Sequence, residues 1–168
     1  MTDKINTRLE NFKLRFAEVE DVTLILGFIK ELAEYENMIN DVVATEEVLR
    51  EALFDRRAAE VIIGEYAGKP VGFALFFHNF STFRGQSGIY LEDLYVKPEM
   101  RGKGIGKIMI SFLAKLALER KCGRLEWSCL DWNEPSITFY KKMGAVPMEE
   151  WTLYRASNNA LKELSDGY

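Results

Sequence analysis

Two adjacent acids and one glycine-rich turn carry the clearest chemistry in this chain. Glu92 and Asp93 sit inside Ile89-Tyr-Leu-Glu-Asp-Leu-Tyr-Val96, a stretch otherwise apolar on both pleat faces, which reads as a central strand. A carboxylate buried there is costly unless something pairs it or uses it. Directly after the strand comes Lys97-Pro-Glu-Met-Arg101-Gly-Lys-Gly-Ile-Gly106, and a long helical pattern opens at about Ile105. Such a turn leaves N–H groups unpaired at a helix N-terminus, and glycine lets a bulky anion approach the backbone closely. This is a phosphate cradle in outline.

Several motifs compete for these glycines. A P-loop requires Gly-Lys-Ser/Thr, whereas Gly106-Lys107 is followed by Ile108, so no hydroxyl is placed for magnesium. A dinucleotide fingerprint requires G-x-G-x-x-G, whereas Gly102, Gly104 and Gly106 are spaced two apart. An ordinary glycine turn would explain an isolated G-x-G. Here Arg101 precedes the glycines, and Arg-x-x-Gly-x-Gly directly after an acid-bearing strand resembles the pyrophosphate-binding motif of the GNAT superfamily of acetyl-CoA-dependent N-acetyltransferases.

The elements that must position these groups follow from the rest of the chain. Its 168 residues, 48% hydrophobic and 29% charged, suit one soluble domain with a sizeable core, residues 12–168, preceded by a flexible tail over residues 1–11. A net charge of -4 disfavours nucleic acid and anionic membrane as partners and leaves room for a cationic substrate. No apolar run reaches the roughly 18 residues of a membrane span. Cys122 and Cys129 follow no secretory signal and read as reduced thiols of a cytoplasmic protein. His78 is the chain's one histidine, so no metal is expected.

Phe12–Phe16 alternates and reads as a first strand. Asp21 suits the N-cap of a helix through Val22, Ile25, Leu26, Ile29 and Leu32, and Thr45 that of a second through Val48, Leu49 and Leu53. Strands at 61–66 and 70–77 are joined by a turn through Gly68. A polar loop is expected over 78–88, then the acid-bearing strand. The helix from Ile105 has Ile108, Met109, Phe112, Leu113 and Leu116 as its apolar face and stops at Gly123; residues 125–130 follow as a strand apolar enough to be central. Strand, turn, helix and returning strand make a βαβ unit with a parallel pair. Asn133 caps a further helix with Pro135 in its first turn and Gly144 at its stop. A last strand over 149–155 and a short helix over 158–164 complete the order expected of the GNAT fold.

A second motif narrows the resemblance. Trp132-Asn-Glu-Pro-Ser-Ile-x-Phe-Tyr140-Lys-x-x-Gly-Ala, with Tyr90-Leu-Glu-Asp-x-x-Val96 and Ile29-Lys-Glu-Leu-Ala-x-Tyr-Glu36, is similar to the diamine N-acetyltransferases, the spermidine/spermine group. The resemblance runs from about Lys13 to Tyr154. It implies an α/β GNAT acyl-CoA N-acyltransferase fold: a mixed, mostly antiparallel sheet, splayed at a central parallel pair and flanked by helices, with acetyl-CoA in the splay and no metal.

The resemblance also implies roles. An ammonium of pKa near 10 leaves roughly one molecule in a thousand neutral at pH 7, so a proton acceptor helps. Glu92 corresponds to the family's water-mediated base, or it binds the substrate's charge. Tyr140 corresponds to the acid that protonates the CoA thiolate; without the motif it would read as a core tyrosine. Leu94, Tyr95 and Val96 flank the pantetheine arm through their backbone. Arg101 and the N–H groups of Gly102, Lys103, Gly104, Ile105, Gly106 and Lys107 meet the pyrophosphate, with Asn133 and Ser136 nearby unless they are only helix caps. Cys129 is no nucleophile, because no acyl-enzyme is expected.

Substrate choice follows from Tyr35, Glu36, Asp93, Glu150 and Trp151, which match acidic or aromatic positions of the group's polyamine groove. One acid which that group carries before the central strand is missing; Arg84 lies in that loop and would suit the carboxylate of a lysine-like amino acid such as thialysine. The expected function is acetyl transfer from acetyl-CoA to the primary amine of a small diamine, polyamine or lysine-like amino acid, in a homodimer. The alternatives are acetylation of a protein lysine or N-terminus, or a non-catalytic acetyl-CoA-binding domain.

Overall fold

The computed structural model of the chain describes residues 3–168. These form two compact units, one ending at Ser128 and one spanning Cys129–Tyr168, each taken by itself. The first is a six-stranded sheet in sequential order: β1 (Ile5–Asn6), β2 (Phe12–Phe16), β3 (Glu60–Tyr66), β4 (Lys69–Ser81), β5 (Gln86–Val96) and β6 (Leu125–Trp127). All neighbours are antiparallel except β5 and β6, so the mixed α/β sheet with one parallel pair is as expected.

The N-terminal tail departs from expectation. Ile5 and Asn6 pair with Leu14 and Lys13, and Thr7 Oγ1 donates to Phe12 O at 2.7 Å; Met1 and Thr2 lie outside the described residues. Charge pins this edge. Arg15 donates to both oxygens of Asp21 at 2.6 and 2.8 Å and to Glu65 at 2.8 Å, while Lys4 reaches Glu65 at 2.6 Å. Burial works against the charge on Asp21 and Glu65, yet the hydrogen bonds from Arg15 hold both below the usual carboxylate range. Asp21 is therefore not the side-chain N-cap the sequence suggests: its carboxylate accepts from Glu18 N–H at 2.8 Å, bracing a 3-10 turn ahead of α1 (Val22–Tyr35).

Helix α1 packs Ile25, Phe28 and Leu32 on one face of the sheet, with Leu53 from beyond α2 (Glu46–Arg50). Thr45 caps α2 as expected, accepting from Val48 N–H at 3.3 Å, and the helix continues as a π-turn over Glu51–Asp55. Phe28 stacks on Phe73 with centroids 5.4 Å apart, and Tyr95 tilts against it. Helix α3 (Ile105–Glu119) starts where expected and buries Ile108, Met109, Leu113 and Leu116; Met109 faces Gly64 on the other side of the sheet. Lys121, at φ 57°, takes the left-handed position after α3, ahead of the expected Gly123.

Two strand expectations fail in instructive ways. The loop expected over 78–88 is largely ladder, running from His78 opposite Ile89 to Ser81 opposite Gln86, so only the tip around Thr82–Gly85 turns. Strand β6 is not central: it has three residues and stands at the sheet edge.

In the second unit, α4 (Glu134–Lys142) begins at Asn133, whose Oδ1 accepts from Ser136 N–H at 3.3 Å, and Gly144 at φ 87° follows its end. Helix α5 spans Asn158–Ser165. Residues 149–155 form a turn and an irregular segment instead of the expected strand. Their apolar alternation suits a strand, but a strand also needs a partner edge for its N–H and C=O groups. Among the described residues no helix is long and apolar enough to cross a membrane.

Gly72 lets β4 and β5 approach. A Cβ there would lie 2.5 Å from Tyr95 O and 3.3 Å from Val96 Cα, both backbone atoms that cannot rotate away. Gly72→Ala is expected to cost about 1–3 kcal/mol, seen as a lower urea midpoint with an unchanged slope. An unaltered midpoint would show that the two strands separate freely.

Candidate active site

The acids stand where the β4–β5 register breaks. Leu75 pairs with Asp93, while its neighbour Phe76 pairs with Leu91, which leaves Glu92 as the extra residue of a β-bulge. Residues directly opposite each other share a face, so Asp93 and Tyr95 lie with Leu75 and Phe73 on the α1 side, whereas Leu91 and Leu94 lie with Phe76 and Ala74 on the α3 side. Glu92 is exposed and Asp93 half-buried. The parallel ladder stops at the same level, with Leu91 opposite Trp127 as its last pair. Beyond it, Leu94 to Val96 pair with β4 on one side and have no strand on the other among the described residues. Glu92 and Asp93 thus stand where the parallel ladder ends and the unpaired edge of β5 begins.

Electrostatics make the acids unequal. Burial, then the charges of Glu92 and Glu36, push Asp93 up to about 6. Burial raises Glu36 as well. Glu36 caps the C-terminus of α1, where Asn37 turns left-handed at φ 60° and Met38 N–H donates to Ala33 O at 2.7 Å. The negative end of the helix dipole adds to the carboxylates there. Carboxylates and helix end together favour a cation at this place. Tyr95, 5% exposed, is pushed up to about 12 by burial and by its hydrogen bond with Glu31, a partner the sequence did not reveal.

The glycine turn fits an anion. Gly102 and Gly104 take φ 77° and 81°, with no atom within 4 Å of where a Cβ would stand. The first helical bond of α3 runs from Ile108 N–H to Gly104 O at 3.0 Å, so the N–H groups of Ile105, Gly106 and Lys107 are the orphan donors of its first turn. Lys107 is exposed beside them. The other cations of the turn lie against rings: Lys97 6.0 Å from the Phe28 centroid, Arg101 4.8 Å from Tyr35 and 5.6 Å from Tyr95, and Lys103 5.4 Å from Tyr66.

The structure thus brings together Tyr35, Glu36, Glu92, Asp93, Tyr95 and Arg101. It does not bring Arg84 to them. Arg84 lies at the hairpin tip near Gln86 and Gly123, and six residue steps of extended strand lead from Gln86 to Glu92, on the order of 20 Å. Tyr140, Asn133, Ser136, Glu150 and Trp151 belong to the second unit. Tyr140 stands on α4 with its ring 5.4 Å from that of Phe139, Asn133 is buried at the cap, and Glu150 and Trp151 are exposed.

The profile of the Acetyltransferase (GNAT) family matches residues 28–145. The chain belongs to this family. It is accordingly an N-acetyltransferase, and GNAT enzymes use acetyl-CoA as cosubstrate. Among its relatives is the thialysine N-epsilon-acetyltransferase of Bos taurus, 39% identical over 90% of this chain and 96% of that one. The human spermidine/spermine N(1)-acetyltransferase-like protein 1 is 32% identical over 95% of this chain and 24% of that one. An integron cassette protein from the mobile metagenome of V. cholerae shares the fold with a TM-score of 0.78 and 28% identity, covering 94% of this chain and 99% of that one.

In this GNAT protein the ionised form of Asp93 destabilises the fold. Its raised value means that the folded state holds a proton which the unfolded state, titrating near 3.8, has already lost. The contribution of Asp93 to native stability therefore declines as pH rises from about 4 through about 6 and then levels off. Asp93→Asn is expected to raise the melting temperature relative to wild type at pH 8, and the gain should vanish near pH 4. A gain equal at both pH values would show that packing, not charge, limits the site.

Proposed function

We propose that the enzyme transfers acetyl from acetyl-CoA to the primary amine of a small cation, a lysine-like amino acid such as thialysine or a short diamine. The observation that carries this reading is the carboxylate group of Glu36, Glu92 and Asp93, placed near the end of the strand that leads into an anion-accepting turn. One end of the splay suits the diphosphate of the donor and the other an ammonium. The similarity to an enzyme named for thialysine points the same way.

In this reading Asp93 and Glu36 hold the incoming ammonium, with Tyr35 beside them and Glu150 and Trp151 as further contacts. The backbone of Leu94, Tyr95 and Val96 lies along the donor's amide-bearing arm, and an N–H of this segment polarises the thioester carbonyl. Gly102 to Lys107 meet the diphosphate, with Asn133 and Ser136 as further contacts. The neutral amine attacks the carbonyl carbon, a C–N bond forms, and the C–S bond breaks. The proton shed by nitrogen passes through water to Glu92, and the departing thiolate takes its proton from Tyr140. Exposure on the bulge suits Glu92 to a water-mediated role. Arg84 takes no part in this reading, because it lies in the hairpin turn at the far end of β5 from the acids.

Thiol release from acetyl-CoA across thialysine, lysine, putrescine, spermidine and a lysine peptide tests the reading. Selective turnover of a small amine is expected, and turnover of the peptide alone would contradict it. Tyr140→Phe is expected to lower kcat by about 10²-fold or more while leaving acetyl-CoA binding near wild type; equal turnover would remove the proton-donor role.

A further inference from the structure

Arg101 is expected, by the motif it opens, to meet the pyrophosphate. Its surroundings describe another task. The guanidinium lies 4.8 Å from the Tyr35 ring centroid and 5.6 Å from that of Tyr95, and Nε donates to Val96 O at 2.9 Å. Tyr35 is the last residue of α1, and Glu36 is its C-cap. One side chain therefore fastens three pieces: the end of the acid-bearing strand, the ring next but one to Asp93, and the end of the helix that carries Glu36. A helix terminus frays when nothing holds its last turn, and here the holder comes from the glycine turn.

The neighbouring cations sharpen the contrast. Lys97 and Lys103 are seated on Phe28 and Tyr66, whereas Lys107, in the first turn of α3 and exposed like Arg101 and Lys103, has no ring contact among the described residues. Lys107 stands beside the orphan N–H groups, an arrangement that favours an anion.

We propose that Arg101 is a positioning residue for the amine site: stacked on Tyr35, it holds the end of α1 so that Glu36 stays opposite Asp93, and Lys107 with the backbone carries the donor's charge. The inference rests on the amine acetyltransferase reading. It predicts that changes to Arg101 and to Tyr35 act through one device. A guanidinium removed from the ring and a ring removed from the guanidinium leave the same loosened helix end.

The test compares Arg101→Met, Tyr35→Leu, their combination, Tyr35→Phe and Lys107→Ala. Arg101→Met and Tyr35→Leu are each expected to raise the amine KM about fivefold, and the combination no further, while Tyr35→Phe is read only through the ring shift described below. Acetyl-CoA affinity, measured by calorimetry, is expected to fall for Lys107→Ala and to hold for Arg101→Met. A large loss of acetyl-CoA affinity in Arg101→Met with an unchanged amine KM overturns the proposal, as does multiplication of the two single effects. NMR supplies a readout independent of turnover: the Arg101 side-chain protons should be shifted upfield by the ring in wild type and in Tyr35→Phe, and not in Tyr35→Leu. If no amine is turned over by wild type, the functional reading fails while this shift still decides whether the clamp exists; its absence in wild type overturns the clamp.

Discussion

Strand β5 has one residue more than β4 can pair, and the placement of the site depends on that mismatch. Because Glu92 is the surplus residue, the strand changes parity: Leu91 and Leu94 fall on the α3 side, and Asp93 and Tyr95 on the α1 side. Without the bulge, a one-residue slip would send the apolar and acidic side chains to the wrong layers. The rest of the sheet is built to hold this geometry. Gly72 lets β4 approach the end of β5 to backbone contact, and Phe73 and Tyr95 close around Phe28. The parallel partner β6 ends at the level of the bulge, which frees the far edge of β5 where a donor's extended arm can lie.

The acids of this protein divide by what surrounds them. Asp21 and Glu65 are also partly buried, but Arg15 reaches both and Lys4 reaches Glu65, so their ionised forms are stabilised and they serve the fold. Asp93 is raised, first by burial and then by the charges of Glu92 and Glu36. A fold that needed only stability would pair or replace such a group. In the proposed reading, an ammonium substrate supplies the absent countercharge. Perturbation by burial and by like charge at the mouth of a splay is the pattern of a functional site.

Much of this was legible in the residues. Two adjacent acids in an apolar strand break the alternation, and that break marks both the site and the bulge, though the sequence shows only the first. The glycines after Arg101 marked the turn ahead of α3, since the left-handed positions at Gly102 and Gly104 favour glycine. The ends of the sheet were not legible. Ile5 and Asn6 are too few to show a period, and they became a strand because Lys4 and Thr7 tie them to Glu65 and Phe12. Residues 149–155 carry a strand's alternation without a ladder, because pairing is decided by the neighbouring edge and not by the segment itself. Arg84 looked suited to a substrate carboxylate until the ladder extended to Ser81 and placed it on the hairpin tip. The stacking of Arg101 on Tyr35 joins residues 66 positions apart and left no local signal.

The central claim is that an amine supplies the charge which Asp93 lacks. A carbon-detected NMR titration of the side-chain carboxyl groups, in the enzyme alone and with saturating thialysine but no acetyl-CoA, tests it most directly. Asp93 should titrate near 6 in the free enzyme and fall toward the ordinary aspartate range when the amine is bound. An Asp93 that titrates alike with and without amine would contradict the account.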